Sequence, residues 1–499
     1  MIFKTFNECI NYWSKNRGGN LALVDSQSKI TYRELENTIR NLQHFFLNKG
    51  IKKGDIIAIS GPKNAFLVEL YLSLFGIDVA VVPLPEKVSV AYMNKIVRLI
   101  NPIHVISYEN QFSSENEKKW FICKTNQFIK FINNESLESL RTTIELLDKN
   151  DRGVCDLNVS EEYGTYFNLT SGSTGEIKAV RVGSMEIINN ALSLNKRFPM
   201  GENDCYCCLF PPEMHPHEIF SHPIITGACC LILSSSDIRN FPRYLNEVAI
   251  THIHATPYMY KKLLNIDDSK NNWKNTKYLL VGGENTTYKL RSAFFEKTSK
   301  KLTPVWGSTE TTGIVLAVPD EMRLEEKEIL GVSLDGYEVK IDPHNSELLI
   351  RGQPCAKGYW NSSQKSFLTK EGYYRTKDCV RIDDKGIIFY QGRMNFVIKA
   401  CGRKISLNII EHELLRLDFI NEVAVIYDEN EMIIYLYIDA YNQDSNDIKE
   451  LKALLVNKIN PIRYRILFVD SIPKLSNGKI DREFLKYNIA EGSYETYGC

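Results

Sequence analysis

The sequence has no excess of either charge, since 61 basic residues balance 61 acidic ones over 499 residues. This balance gives no electrostatic reason to expect binding to nucleic acid or to an anionic membrane. Long apolar runs are also missing, because the most apolar stretch, from Leu67 to Leu84, is interrupted by Glu69, Asp78 and Pro83. We therefore expect that stretch to be buried core and not a membrane span.

Cysteine is present without the spacing of a disulfide framework, although the chain has twelve of them. A protein of this length does not need cross-links to fold, so a reducing cytosol is the expected location. The segment up to Trp13 lacks the apolar block of a signal peptide, which agrees with a cytoplasmic protein. Cys205, Cys207 and Cys208 lack the matching second pair of a zinc site, and their apolar run predicts a buried strand instead.

A segment rich in hydroxyl side chains and glycine is the most informative part of the sequence. From Asn168 to Lys178 it has the sequence NLTSGSTGEIK, between two strand-like runs. Glycine lets the backbone N–H groups approach an anion, hydroxyls donate to phosphate oxygens, and lysine adds positive charge. The segment predicts a phosphate-binding hairpin loop, with a flexible solvated loop as the alternative. A Walker-type kinase or NTPase is excluded, because GxxxxGK[ST] is missing here.

The pattern TSGSTGxxK resembles the phosphate-binding loop of the adenylate-forming superfamily, which contains acyl-CoA synthetases, adenylation domains of peptide synthetases and luciferases. The resemblance implies that the loop holds the phosphates of ATP, and that Thr170 also contributes to a magnesium site. The residues that it assigns to nucleotide binding are Thr170, Ser171, Gly172, Ser173, Thr174, Gly175 and Lys178.

A strand is predicted over residues 302–305, and the sequence WGSTE follows it, from Trp306 to Glu310. This sequence resembles the YGxTE motif of the same superfamily. An indole can stack on a purine, and a carboxylate near a triphosphate can hold magnesium. The resemblance implies that Trp306 stacks on adenine, that Thr309 bonds the α-phosphate, and that Glu310 binds Mg²⁺ during catalysis. Gly307 is assigned to nucleotide binding with them. Tryptophan in place of tyrosine keeps the stacking surface and loses the phenol.

Two further motifs resemble parts of the nucleotide site. Gly283 and Glu284 belong to a GGE turn, which in the superfamily lines the adenine and acyl pockets. Asp378 ends a YRTKD sequence that resembles YRTGD. One carboxylate can accept from both ribose hydroxyls, so Asp378 is assigned to the ribose. Lys377 replaces the usual glycine, which puts the local turn in doubt.

The C-terminal motifs resemble the mobile part of the superfamily. Arg393 lies in a GRMN sequence and is implied to reach ribose or phosphate, and Asn395 stands at the hinge position, where asparagine tolerates large backbone changes. Lys399 and Gly402 belong to a loop that faces the site in the second half-reaction. Lys479, in PKLSNGKIDR, resembles the catalytic lysine that bridges the carboxylate and the α-phosphate.

His215 is the histidine expected to gate the acyl pocket, because it has P-x-x-H spacing after a predicted strand. His217 is the alternative, since Pro211 and Pro212 make the register ambiguous. In amino-acid adenylation domains, an aspartate that holds the substrate ammonium group follows this position. Here that residue is Pro216, which disfavours an α-amino acid as substrate and favours a carboxylate that lacks a charged amine.

Strands and helices alternate along most of the chain, and short strands with turn signals follow from about residue 337. The fold class expected is α/β, with a large N-terminal adenylate-forming domain of layered α/β subdomains and a β-rich subdomain over residues 1–394. A small mobile α+β lid domain is expected over residues 395–499. Residues 108–160 are expected to form connecting surface structure.

Together the motifs imply an ATP- and Mg²⁺-dependent acid–thiol ligase that converts a small carboxylic acid into an acyl-adenylate and then into a coenzyme A thioester. Few residues follow Lys479, so we expect no fused carrier domain. A stand-alone enzyme that loads the phosphopantetheine arm of a separate carrier protein is the first alternative. A nucleotide-binding homologue without catalytic activity is the second. Phe220, Tyr258 and Trp306 favour an apolar or aromatic acid.

Overall fold

The computed structural model describes residues 3–108, 120–126, 128, 142–143, 166–171, 177–234, 237–266, 273–284, 286–322, 329–360, 367–400, 403–441, 444–474 and 480–491. The chain divides into two compact units. Unit 1 comprises Met1–Leu324, Gly331–Val339 and Ile350–Tyr374, and unit 2 comprises Glu325–Leu330, Lys340–Leu349 and Arg375–Cys499.

The helices of unit 1 begin mostly at polar caps, as the sequence predicts for Thr31 and Glu34, which form a reciprocal capping box. They are α1 Phe6–Arg17, α2 Tyr32–Asn48, α3 Ala65–Phe75, α4 Val90–Leu99, α5 Ser184–Arg197, α6 Pro216–Thr226, α7 Phe241–Glu247, α8 Pro257–Leu264 and α9 Tyr288–Thr298. Pro257 occupies the first position of its helix, where its missing N–H costs nothing.

The strands of unit 1 include those predicted between these helices. They are β1 Leu21–Val24, β2 Lys29–Thr31, β3 Ile56–Ser60, β4 Ala80–Leu84, β5 His104–Tyr108, β6 Trp120–Lys124, β7 Thr142–Thr143, β8 Tyr166–Ser171, β9 Ile177–Val182, β10 Cys205–Cys208, β11 Cys229–Leu231, β12 His252–Ala255, β13 Tyr278–Val281, β14 Thr303–Ser308 and β15 Gly313–Ala317. Three more strands pass from one unit into the other: β16 Ile329–Ser333, β17 Tyr337–Ile341 and β18 Glu347–Gly352.

Two sheets organise unit 1. One has the order β7-β6-β5-β3-β4-β8-β9, with a parallel centre and antiparallel edges. In the other, β14-β13-β12-β10-β11-β1 are parallel neighbours, and β15 is antiparallel to β14. The α/β fold class is confirmed. Parallel strands bring their carboxyl ends to one edge, where ligands gather in such sheets.

The expectation that residues 108–160 only connect other elements is wrong, because β6 and β7 lie in this range and extend the first sheet. Trp120 and Ile122 of β6 are buried. Polar sequence on both sides hides this short apolar alternation from a pattern search.

The apolar stretch from Leu67 to Leu84 forms most of α3 and the whole of β4, and its apolar side chains are buried. It is therefore core, as predicted. Within the described residues, no helix combines the length and the apolar character that a membrane crossing requires. Cys205, Cys207 and Cys208 also lie buried in β10, which confirms the predicted buried strand.

Unit 2 contains the small α+β arrangement that the sequence predicts near the C-terminus. Its strands are β19 Tyr374–Ile382, β20 Ile388–Arg393, β21 Val397–Ala400, β22 Arg403–Ser406, β23 Ile420–Asp428, β24 Ile433–Ala440 and β25 Arg463–Phe468, and its helices are α10 Leu407–Leu414, α11 Ser445–Ile459 and α12 Arg482–Glu491. In β23, Val423 and Val425 pack towards α10 and α11, whereas Ala424 and Ile426 pack with Leu485 of α12. This two-residue period gives the sheet apolar faces on both sides.

Candidate active site

Strands β8 and β9 form the hairpin predicted at the phosphate-binding loop. They are antiparallel, with Thr170 opposite Lys178 and Ser171 opposite Ile177. Residues 172–176, at the tip, lie outside the described residues. The hairpin strands are therefore confirmed, and they bring Thr170 and Lys178 to facing positions at the base of the loop.

The carboxylate of Glu310 belongs to the same group of side chains as Lys178, and Tyr359 connects them. Glu310 is 9% exposed, and the Tyr359 hydroxyl donates to its Oε1 at 2.9 Å. Lys178 Nζ lies 5.1 Å from the centre of the Tyr359 ring, within range of a cation–π contact. Burial and the neighbouring Glu310 carboxylate raise the pKa of Tyr359, so the phenol stays protonated and donates.

Backbone pairing holds Tyr359 in this position. Val180 of β9 forms an antiparallel bridge with Tyr359, and Trp360 N donates to Ala179 O at 2.8 Å. The sequence analysis missed Tyr359, because an aromatic pair after glycine is typical of core. The only feature of the sequence that could have pointed to Tyr359 is its hydroxyl group, since a buried tyrosine needs a hydrogen-bond partner.

The WGSTE segment is more regular than predicted. The strand was expected to end at residue 305, but β14 continues to Ser308, and Thr309–Thr311 form a 3-10 turn that carries Glu310. At Gly307 a Cβ would come 2.0 Å from Gly313 O, so only glycine allows this close strand approach. Trp306 and Thr309 are half-buried and Gly307 is exposed.

The two candidate histidines differ in environment. His215 is half-buried at the N-cap of α6, where the Asn168 amide donates to Met214 O at 2.8 Å and lies 3.2 Å from His215 Nδ1. His217 is fully buried: Tyr166 Oη lies 2.5 Å from its Nδ1, and its Nε2 lies 3.2 Å from Thr312 O. Burial lowers the pKa of His217 to about 4, so it is neutral at neutral pH.

These contacts assign the His217 proton to Nε2, because the tyrosine hydroxyl donates to Nδ1 and a carbonyl accepts from the other nitrogen. His215 stays the predicted gate. Asn168 was not selected from the sequence as a site residue, yet it fixes the loop before His215. The GGE turn lies against this loop, because a Cβ on Gly283 would come 3.2 Å from Met214 Cε. Glu284 is half-buried in the same turn.

Unit 2 carries the predicted ribose-binding residue. Asp378 is 4% exposed, and Arg393, its neighbour across β19 and β20, places Nε 3.7 Å from Asp378 Oδ1. Lys377 has φ +63°, the left-handed conformation that favours glycine. The backbone therefore keeps the turn in which the superfamily has glycine, and the Lys377 N–H donates to Glu347 Oε1 at 2.8 Å.

The hairpin that carries Lys479 is anchored at its base, although residues 475–479 lie outside the described residues. Lys474 and Ile480 form an antiparallel bridge. Arg482 makes a two-pronged ion pair with Glu411, at 2.7 and 2.9 Å. Asn395 lies in a 3-10 turn and Lys399 in β21, and Gly402 is outside the described residues.

Residues 10–360 match the family described as AMP-binding enzyme. The chain belongs to the AMP-binding enzyme family. Its overall fold is that of ATP-bound MatB from Rhodopseudomonas palustris, with a TM-score of 0.80, 16% identity and coverage of 97% of this chain and 99% of that chain. Klebsiella oxytoca NpsA, in complex with 3-hydroxyanthranilyl-AMSN, gives a TM-score of 0.79 at 21% identity, covering 98% of this chain and 100% of that one.

Two similar curated proteins illustrate how the chain relates to larger synthetases. Bacitracin synthase 3 of Bacillus licheniformis is 24% identical over 99% of this chain, which corresponds to 8% of that protein. Zwittermicin A synthase ZmaJ of Bacillus cereus is 25% identical over 93% of this chain and 91% of its own length. This AMP-binding enzyme thus spans a small fraction of the first protein and most of the second.

Proposed function

We propose that this AMP-binding enzyme makes an acyl-adenylate from a small carboxylic acid and then transfers the acyl group to the thiol of coenzyme A. In the first step a carboxylate oxygen bonds to the α-phosphorus of ATP, and the bond from that phosphorus to pyrophosphate breaks. In the second step a thiolate attacks the acyl carbonyl, and AMP leaves. The observation that carries the first step is the contact of Tyr359 with both Glu310 and Lys178 at the phosphate hairpin.

The charged residues fit a nucleotide with its magnesium ion. Thr170 and Glu310 offer oxygen atoms, the ligands that Mg²⁺ prefers. Bound Mg²⁺ would offset part of the negative charge of the phosphates. Lys178 supplies a fixed positive charge for the phosphates. Tyr359 holds one Glu310 oxygen, so the carboxylate is oriented before ATP binds. Trp306 would stack on adenine, with Gly283 and Glu284 along the wall of the pocket.

The remaining roles are proposals from the resemblance. We propose a domain boundary after residue 394, with Asn395 as the hinge of a lid that delivers Lys479 to the transferring phosphoryl group. After rotation, the loop with Lys399 and Gly402 would face the site for thioester formation. Asp378 would accept from the ribose hydroxyls, Arg393 would reach ribose or phosphate, and His215 would gate the acyl pocket.

The thiol acceptor has two candidates. Coenzyme A is supported by the fold similarity to O-succinylbenzoate coenzyme A synthetase of Bacillus subtilis and to the anthranilate CoA ligase AuaEII. A phosphopantetheine arm on a separate carrier protein is supported by the somewhat higher sequence identity to peptide-antibiotic synthases. Both acceptors end in the same thiol, so adenylate chemistry does not separate them.

Acid-dependent exchange of pyrophosphate into ATP tests the first step, over a panel of aromatic, short-chain and medium-chain acids. We expect exchange with at least one acid, and Lys479→Ala should suppress it with little change in melting temperature. Thioester formation with free coenzyme A, compared with phosphopantetheinylated carriers, tests the second step. Silence with every acid would favour a non-catalytic nucleotide-binding protein.

A further inference from the structure

Unit 1 contains a group of buried polar atoms that lack hydrogen-bond partners. Asn190, Glu218 and Thr312 are 1%, 6% and 0% exposed. Within the part of the chain that the structure describes, Asn190 Oδ1, Glu218 Oε2 and Thr312 Oγ1 have no hydrogen-bond partner. Buried polar atoms are nearly always paired, because an unpaired one loses its bonds to water without replacement. These three atoms are therefore available to a partner that the described residues do not supply.

The side chains of Asn190, Glu218 and His217 converge beside Gly313, three residues after Glu310. A Cβ on Gly313 would lie 2.8 Å from Glu218 Oε1, 3.3 Å from Asn190 Oδ1 and 3.4 Å from His217 Nε2. Asn190 comes from α5 and Glu218 from α6, so different elements aim polar groups at one place. The Asn190 amide is fixed, because Nδ2 donates to Ile314 O at 3.0 Å and leaves Oδ1 as a pure acceptor.

The charge balance of this group is also incomplete. Burial raises the pKa of Glu218 to about 8 and lowers the pKa of His254 to about 3. His254 Nδ1 lies 3.5 Å from Glu218 Oε2, too far for a hydrogen bond of ordinary length. No lysine or arginine of the described residues forms an ion pair with Glu218. A cation at this position would convert a costly buried acid into a paired carboxylate.

We propose that the acyl substrate is an amino-substituted carboxylic acid, and that its nitrogen binds Glu218 and Asn190. An amine offers several N–H donors, enough for both acceptors, whereas a hydroxyl offers one. Pro216 replaces the aspartate that holds an α-ammonium group in amino-acid adenylation domains, so the nitrogen is placed beyond the α-carbon. This inference rests on the proposed function, because it presupposes that an acid is adenylated.

Matched acids test this inference in the exchange assay. We compare 3-aminobenzoate with benzoate and 3-hydroxybenzoate, and 3-aminobutanoate with butanoate and 3-hydroxybutanoate. In at least one series the wild-type enzyme should favour the amino acid by about tenfold or more in kcat/KM, since the unsubstituted analogue leaves the buried acceptors unpaired. Glu218→Gln should remove most of that preference.

Glu69→Gln is the matched control. Glu69 is also a buried glutamate, 4% exposed in α3, and burial raises its pKa to about 8. Its substitution should leave the preference intact. Preference for the hydroxy or unsubstituted acids in both series, or an unchanged preference in Glu218→Gln, would overturn the inference while the adenylation activity stands. Absence of exchange with every acid would overturn the proposed function and this inference together. The wild-type comparison decides the matter even if a variant fails to fold.

Discussion

Two buried carboxylates near the segment from Trp306 to Gly313, those of Glu310 and Glu218, have opposite surroundings. At Glu310 a tyrosine hydroxyl donates to the carboxylate, and Lys178 lies on the ring of the same tyrosine. At Glu218, a few ångströms from Gly313, one oxygen each of Asn190, Glu218 and Thr312 has no hydrogen-bond partner among the described residues, and the nearest imidazole is neutral. The first group is complete before any ligand binds, and the second is not.

This difference separates common chemistry from specific recognition. In the proposed reaction, phosphates and Mg²⁺ take part in every turnover, so a fixed group that needs no rearrangement would stabilise the developing charge best. Acyl substrates differ between related enzymes. A binding pocket discriminates most sharply between substrates when its buried polar groups form hydrogen bonds only with the correct substrate. We therefore expect substitutions at Glu310 to affect all acids alike and substitutions at Glu218 to affect them selectively.

The largest expected effect in this comparison comes from Glu310→Gln. The substitution keeps the shape and removes the charge, so exchange should fall by about 10²–10³-fold for every acid, a typical loss for one group that stabilises transition-state charge. Initial rates of exchange at saturating ATP, across amino and unsubstituted acids, measure it. A loss confined to amino-substituted acids would contradict the division between the two carboxylates.

A smaller effect is expected from Tyr359→Phe, which removes the hydrogen bond to Glu310 and keeps the ring under Lys178. Loss of such a supporting contact typically costs about 10–100-fold in activity or metal affinity. The Mg²⁺ concentration for half-maximal exchange should rise, and excess Mg²⁺ should restore part of the rate. Tyr435→Phe is the control, because Tyr435 also donates to a glutamate, Glu431, in unit 2. Equal effects of both variants would show that Tyr359 is merely structural.

Much of the fold was predictable because its signals are local. The capping box at Thr31 and Glu34 needs only four adjacent residues, and the phosphate hairpin needs one loop between two strands. Strand β14 was predicted three residues too short, because its extension depends on pairing with β15 and on the close contact that Gly307 permits. Strand pairing of this kind leaves no periodic pattern in the sequence.

The unexpected site residues have the same physical origin. Tyr359 reaches Glu310 only because its segment pairs with β9, which is far away in the sequence. Glu218 belongs to α6, in which every residue from Pro216 to Ile225 is buried, so the helix has no polar face that would place a glutamate outside. The sequence shows a glutamate among histidines, and only the packed helix shows that its Oε2 has no hydrogen-bond partner among the described residues.

The smallest expected effect concerns stability against pH, and it compares Glu218 with Glu69. Both have folded-state pKa values near 8, above the ordinary value of 4.5, so the folded protein binds more protons than the unfolded chain between these pH values. Each glutamate therefore lowers the free energy of unfolding as pH rises through this window, by up to about 1.4 kcal/mol per pH unit. Urea unfolding between pH 5 and 8 should show a shallower loss in either glutamine variant. A saturating concentration of 3-aminobutanoate should flatten the Glu218 contribution alone, because its ammonium cation favours the ionised carboxylate. If it flattened both contributions equally, the two buried acids would not differ in ligand contact.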